Sequence, residues 1–380
     1  MISKLSLLFA GHTAAIGVQR KGKCPFGFTS GSKPDDSGLL QASEGGPKYP
    51  SDILQCSKEQ VTQTLQFSLK EYEDLAKEII AQQHASDDKT KYAACLLRLE
   101  GHDLMDFRRE SKNGMVKRNA PGTGGSDGCV NFEDPDNAGL PSCLAWTGLE
   151  SLYDKWCDKI SLADFMVLAG EAVVGSLAVG YDSKDQFKSD TLLARFRDQF
   201  HFGRKTKEQC PENHGLMPNP ENGCEDLNKI FIDHIYNTGT GKKPRWFLTA
   251  ALSGAHTLGS AKPENSGYDG MWGDPMNQGI FNNDYFRNIM VHGWGPHRAV
   301  HGNEGKNQWA LIDASPDTEK KRQMMLNTDM CLFYQDNRLH ATCMEEEHKG
   351  RIRNRKYCKK YEKKGTYLEA KKSTCCAWTQ

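Results

Sequence analysis

Arg98 and His102 stand one helical turn apart in the run Arg98-Leu99-Glu100-Gly101-His102-Asp103, so on a helix their side chains share a face. An imidazole beside a guanidinium has a lowered proton affinity and stays neutral, able to act as a base. Such a pair can take a proton from a substrate and stabilise the negative charge that forms. Taken alone, an Arg and a His at this spacing more often mark a solvated helix face. Asn137, in Asp134-Pro135-Asp136-Asn137-Ala138-Gly139, carries a side-chain carbonyl that can accept from a histidine nitrogen and fix its tautomer. The plainer role of an Asn two residues before Gly is to form a turn. A second histidine, His256, ends an apolar run crowded with small residues, Ala251-Leu252-Ser253-Gly254-Ala255-His256-Thr257-Leu258-Gly259. Small residues let a flat, bulky group approach the backbone, and a neutral imidazole is the axial ligand that a haem iron takes. A lone His in such a place is otherwise a packed core residue.

These side chains need rigid elements to hold them. Helical periodicity runs through residues 58–83, with Val61, Leu65, Leu69, Leu75 and either Ile79 or Ile80 near one face. It returns at 89–107, 143–157, 161–179, 224–236, 246–258, 281–291 and 318–335. Residues 108–142 read as loop, punctuated by Pro121-Gly122-Thr123-Gly124-Gly125-Ser126-Asp127-Gly128. No alternating strand pattern and no βαβ rhythm stands out, so a mainly α fold is expected.

The chain has 380 residues, with Lys+Arg 49 balanced by Asp+Glu 49, and 37% of its residues are hydrophobic. That composition excludes a multi-span membrane protein and gives no global field for nucleic acid. Thirteen cysteines without a CxxC pair point to disulfides in an oxidising compartment, with one thiol left over, and spacing does not give the pairing. The first eighteen residues carry Lys4, a short apolar stretch from Leu5 to Ala10, and Ala14-Ala15, which together read as signal-like. The stretch from Lys349 to Lys372 is strongly basic and reads as a solvated tail, with a polyanion contact as the sharper alternative. Three segments follow: a signal-like segment and irregular arm at 1–57, a main domain at 58–336, and a basic, cysteine-containing extension at 337–380.

Read together, the motifs resemble those of the plant, fungal and microbial haem peroxidases. ACLLRLEGHD is similar to the distal helix of that superfamily, and GGSDGCVNFEDPDNAGL to its calcium loop and distal Asn segment. ISLADFMVLAGEAVV resembles the helix that follows, and LSGAHTLG the proximal histidine signature. SGYDGMW, GIFNNDYFRNIM and MLNTDMCL resemble the remaining proximal segments, in order. The resemblance runs from about residue 58 to about residue 336. It implies two helical halves sandwiching haem b. Arg98 and His102 match the distal catalytic pair, and Asn137 the residue that orients the distal His. His256 matches the iron ligand, with Ser253 and Thr257 in the same signature, and Asp329 matches the buried carboxylate behind it. Trp272, sixteen residues after His256, falls where cytochrome c peroxidase and ascorbate peroxidase carry a proximal Trp. The implied reaction is reduction of hydrogen peroxide through a ferryl intermediate, with one-electron donors of phenolic or redox-protein type restoring the enzyme.

Departures from the pattern qualify what carries over. Gly101 precedes His102 where the family places Phe or Trp, which implies an open distal site and no strong catalase activity. Asn265 replaces the Arg that ascorbate peroxidases use, which argues against ascorbate as donor. Lys91, Cys95 and Lys262 fall where manganese peroxidases place carboxylates, which argues against a Mn²⁺ site. Asp103, the Gly125 carbonyl and Asp127 match a distal calcium site, although Cys129 takes the place of a Ser ligand there. Asn282 stands where an Asp is usual near Thr257, so a proximal calcium site is expected to be weak or empty. Trp272 and the Asn-Ala-Gly-Leu segment are class I-like, whereas Asp103, the glycine loop and the cysteines are like the secreted classes. The alternatives left open are a radical cross-linker of matrix components and a haem-binding structural protein with the fold but little turnover.

Overall fold

In the computed structural model the described residues are 46–58, 67–113, 115–117, 120–178, 189–210, 216–222, 224–237, 242–292, 294–300, 303–311 and 323–332. Most of the N-terminal segment and all of the basic extension at 337–380 lie outside them.

Nine α-helices of five residues or more carry the architecture among the described residues: α1 (Leu69–Ala85), α2 (Lys89–Met105), α3 (Leu140–Thr147), α4 (Leu149–Trp156), α5 (Leu162–Leu177), α6 (Ser189–Gln199), α7 (Cys224–Asn228), α8 (Lys242–Ser253) and α9 (Asp284–Val291). Local chemistry sets their starts. Ser68 and Glu71 form a reciprocal capping box on α1, Asp88 accepts the Lys91 amide at the head of α2, and Ser161 accepts the Asp164 amide at the head of α5. Helix α5 is buried along almost its whole length, from Leu162 to Gly175, and forms the centre of the larger core. Helices α1 and α2 pack on it, and Gly170 permits the α2 contact: a Cβ there would sit 3.3 Å from the Glu100 side chain. The expected helix at 224–236 is real but changes pitch, with α7 running into a π-helical turn at Lys229–Ile235. The expected helix at 143–157 is broken by Gly148 at φ +69° into α3 and α4.

The fold is mainly helical, but it departs from the helical pattern of the sequence in two places. Strands β1 (Trp294–Val300) and β2 (Asn303–Leu311) form an antiparallel hairpin, and a short strand β3 (Met324–Met325) pairs with β2. Within the expected helix at 318–335, the described residues hold only β3 and a single turn, Asn327–Met330. Pairing of Trp309 with Met325 and of Ala310 with Met324 takes this segment into the sheet. The hairpin also lacked a period-two signal, because Gly295, Pro296, Arg298, Glu304, Gly305 and Lys306 interrupt any alternation. Trp294 and Trp309, with Tyr285, Ile289, Met325 and Met330, make a second, smaller core.

Four disulfides join the described cysteines: Cys56–Cys157, Cys95–Cys143, Cys129–Cys210 and Cys224–Cys331. The other five cysteines lie outside the described residues. Among the described residues no helix is long and apolar enough to cross a membrane.

Candidate functional site

Helix α2 presents Arg98 and His102 on one face, and the loop after it returns to meet them. Asp134 caps the short turn Pro135–Asn137 by accepting the Asp136 amide, and Gly139 at φ +83° then starts α3. This turn aims Asn137 at the histidine. His102 Nδ1–H donates to Asn137 Oδ1 at 2.6 Å, and Asn137 Nδ2 donates to the Asn131 carbonyl at 2.8 Å, which fixes the amide orientation. With Nδ1 so occupied, Nε2 of the neutral ring is the nitrogen that can accept a proton. Burial, then the Arg98 charge, depress the His102 pKa to about 3, against a smaller opposing effect of Asn137. His256 lies close enough to lower it further.

Arg98 is held more firmly than its spacing foretold. Its Nη1 donates to the Ala138 carbonyl at 2.9 Å and its Nη2 to the Asp136 carbonyl at 3.1 Å, so both grip the loop that carries Asn137. Burial lowers its pKa to about 10, still far above neutrality. Gly101, between these residues, is itself buried, yet a Cβ built on it meets nothing within 4 Å. Asn265 packs beneath the same loop, against Gly139, where a Cβ would come within 2.5 Å of its amide nitrogen.

On the opposite side α8 tightens into a 3₁₀ turn at Gly254–Thr257 that carries His256. This turn meets α2, and beyond it Gly259, at φ +80°, lies where a Cβ would be 2.9 Å from Ala94. His256 Nδ1–H donates to Asp329 Oδ1 at 2.8 Å. Its ring stacks on Trp272, with centroids 4.1 Å apart and planes 14° apart. Trp272 Nε1–H donates to Asp329 Oδ2 at 2.7 Å. Two further donors reach the same carboxylate, the Tyr285 hydroxyl on Oδ1 at 2.6 Å and the Leu326 amide on Oδ2 at 2.7 Å. Asp329 is 2% exposed. Burial alone would raise its pKa, but His256, Tyr285 and the Leu326 amide outweigh that and hold it below the ordinary value, so it carries a full negative charge.

Of the sequence-derived residues, Arg98, His102 and Asn137 converge on one side, and His256, Trp272 and Asp329 on the other. Ser253 and Thr257 do not join either group through their hydroxyls. Ser253 Oγ donates to the Thr249 carbonyl one turn back, and Thr257 Oγ1 donates to Asn282 Oδ1, whose amide donates to Asp284. Tyr285 is the participant that the sequence did not reveal. A Tyr on an amphipathic helix reads as core, and nothing in its spacing foretells that its hydroxyl meets a carboxylate 44 residues away.

The set Asp103, Gly125 and Asp127 does come together. Asp103 accepts the Gly128 and Cys129 amides at 2.9 and 3.1 Å, and the Gly125 carbonyl accepts the Asp127 amide. Asp127 Oδ1 is buried with no partner. Glu100 and Asp106, which the sequence did not single out, are buried beside them. Burial first, and mutual repulsion second, push Glu100, Asp103 and Asp106 well above the carboxylate range; burial raises Asp127 to about 6 despite Lys207. These four carboxylates thus form a buried, mutually repelling acidic group in which one Asp127 oxygen has no partner. Cys129 offers that cluster no thiol, because its sulfur is bonded to Cys210.

Two observations fit a flat ligand between the two groups. His256 keeps 39% of its side chain exposed although Trp272, Tyr285 and Asp329 surround it, and the buried Gly101 leaves space beside His102.

Comparison with known proteins bears on the same residues. A family model described as Peroxidase matches residues 76–349. The chain is 32% identical over 203 residues to "Probable L-ascorbate peroxidase 3, peroxisomal" of Oryza sativa subsp. japonica, covering 52% of this chain and 56% of that protein. Its similarity to "L-ascorbate peroxidase 3" of Arabidopsis thaliana is 32% over 201 residues, with the same coverage. To a "Putative heme-binding peroxidase" of Aspergillus fumigatus it is 27% identical over 274 residues, 69% of this chain and 71% of that protein. The chain thus spans only about half the length of the plant relatives it matches.

Proposed function

This chain belongs to the peroxidase family, and from that premise we propose that it binds haem b through His256 Nε2 and reduces hydrogen peroxide at the expense of one-electron donors. The observation that carries the proposal is the pair of oppositely prepared imidazoles. One, His102, is kept neutral and oriented by Asn137; the other, His256, is bonded to an ionised, buried Asp329. When bound, haem supplies the redox chemistry.

The chain's own residues supply the rest. His102 Nε2 takes the proton from one peroxide oxygen and returns it to the other. Arg98, anchored to the loop carbonyls, presents a fixed positive charge to the oxygen that departs. Asp329 polarises the His256 N–H and makes the imidazole a stronger electron donor through Nε2. Trp272, stacked on His256 with its N–H bonded to Asp329, is the side chain placed to carry an oxidising equivalent that bound haem would supply. Asn265 argues for phenols or a redox protein over ascorbate as donor. The Asp103, Gly125 and Asp127 cluster takes a calcium ion, and the four disulfides support an oxidising, extracellular setting.

Reconstitution with haemin tests the proposal. A Soret band together with peroxide-dependent guaiacol oxidation is expected, and His256→Ala should lose the bound haem. An unchanged spectrum in that variant would remove His256 as ligand. A second reading, haem binding with little turnover, is favoured by Gly101 and by the engagement of both Arg98 terminal nitrogens. Bound haem without guaiacol oxidation would select it.

A further inference from the structure

We infer that Tyr285 is a positioning residue that sets how strongly Asp329 acts on His256, through a hydroxyl bond to the very oxygen that His256 uses. The inference rests on the haem ligation proposed above and deepens it.

Asp329 Oδ1 accepts two bonds, from His256 Nδ1–H at 2.8 Å and from the Tyr285 hydroxyl at 2.6 Å. Oδ2 accepts two more, from Trp272 and from the Leu326 amide. The donors on Oδ2 spread over the carboxylate as a whole, but Tyr285 competes on Oδ1 itself. A hydroxyl bonded there withdraws negative charge from the oxygen facing Nδ1–H, so the proton stays more firmly on the imidazole. The ring then carries less imidazolate character and donates less to a metal at Nε2. In this way one hydroxyl opposes the effect of the carboxylate on the imidazole.

Packing alone does not require that hydroxyl. Tyr285 is 0% exposed and lies edge-on to His256, with ring centroids 5.6 Å apart, and against Phe286 at 4.8 Å. Phe would fill the same volume, keep both ring contacts and leave no buried donor unpaired. Asp329 would still accept three bonds. The hydroxyl therefore acts on Asp329 and, through it, on His256, while the ring fills the core.

The test is spectroelectrochemistry of the haem-loaded chain and its Tyr285→Phe variant. Loss of the hydroxyl should stabilise ferric over ferrous haem by about tenfold, a shift of the midpoint of about 59 mV to more negative values. The iron–histidine stretch of the ferrous protein should move to higher frequency in the resonance Raman spectrum. Replacing Tyr285 with 3-fluorotyrosine keeps the hydroxyl and makes it a stronger donor, so both readouts should move the opposite way. A variant that binds haem with unchanged midpoint and stretch overturns the inference, even if its melting temperature falls, since that fall would show a structural role only. A chain with no Soret band under any condition overturns the ligation proposal and this inference together.

Discussion

The two histidine sides are built on opposite plans. On the distal side the side chains are held mostly by backbone: Arg98 grips two carbonyls, and Asn137 is fixed by the Asn131 carbonyl. Room is left there, since nothing lies within 4 Å of a Cβ on Gly101. On the proximal side four donors converge on one buried carboxylate, and Gly254 has no such room, since a Cβ there would be 3.2 Å from Phe286. One residue type thereby gets two jobs. A histidine beside a guanidinium and an amide is kept neutral with its Nε2 free to accept, and a histidine bonded to an ionised carboxylate has its Nδ1–H polarised.

The contrast is most exposed to Asp329→Ala. Three side-chain donors and an amide lose their acceptor at once, and stability should fall by about 3–5 kcal/mol, measured by urea unfolding. A loss under about 1 kcal/mol would mean that the donors find water and that the proximal side is no tighter than the distal one.

His102→Leu should leave haem in place and slow reaction with peroxide by about 100- to 10,000-fold in stopped-flow measurements. A rate within a few-fold of the parent would remove His102 as the base.

Titration separates the sides more finely. His102 is neutral in the folded chain down to about pH 3, so the acid limb of the peroxide reaction should fall near pH 3 and not near the ordinary histidine value of 6.5. Between those values the unfolded chain binds a proton that the folded chain refuses, so His102 makes stability decline as pH drops through that window. Asp329, whose folded pKa is lowered, adds stability above the ordinary carboxylate value and loses it as pH falls through its own lower one. An acid limb near 6.5 would mean that His102 is not shielded as described.

The smallest effect is expected of Gly101→Phe. A Cβ there meets nothing within 4 Å, and Phe is a better helix former than Gly by about 0.5 kcal/mol, so the melting temperature should hold or rise slightly. A clear drop would show that the distal side is as closely packed as the proximal one.

Much of this was legible in the sequence because it rests on local order. The Arg98 to His102 spacing survives intact on α2, and the small-residue run does end in His256 on a tight turn. The approach of Asn137 to His102 depends on a turn signal, Asp134-Pro135, that is also local. The convergence on Asp329 is different in kind. It gathers residues 256, 272, 285 and 326, and no periodicity encodes a meeting between separate elements. Family resemblance points to Trp272 and Asp329, whereas Tyr285 looks like any apolar-face aromatic. The β1–β2 hairpin was missed for a related reason, because its stability comes from cross-strand pairing and two buried tryptophans.

The bridge between Cys95 and Cys143 encloses Arg98, His102 and Asn137 within a single 48-residue span. Both borders of the span are clamped on the same helical scaffold, one on α2 and the other on α3. The covalent tie therefore holds the base and its orienting amide in register from both ends, while Cys129–Cys210 and the Arg109 bonds to His234 moor the chain between them to the rest of the fold.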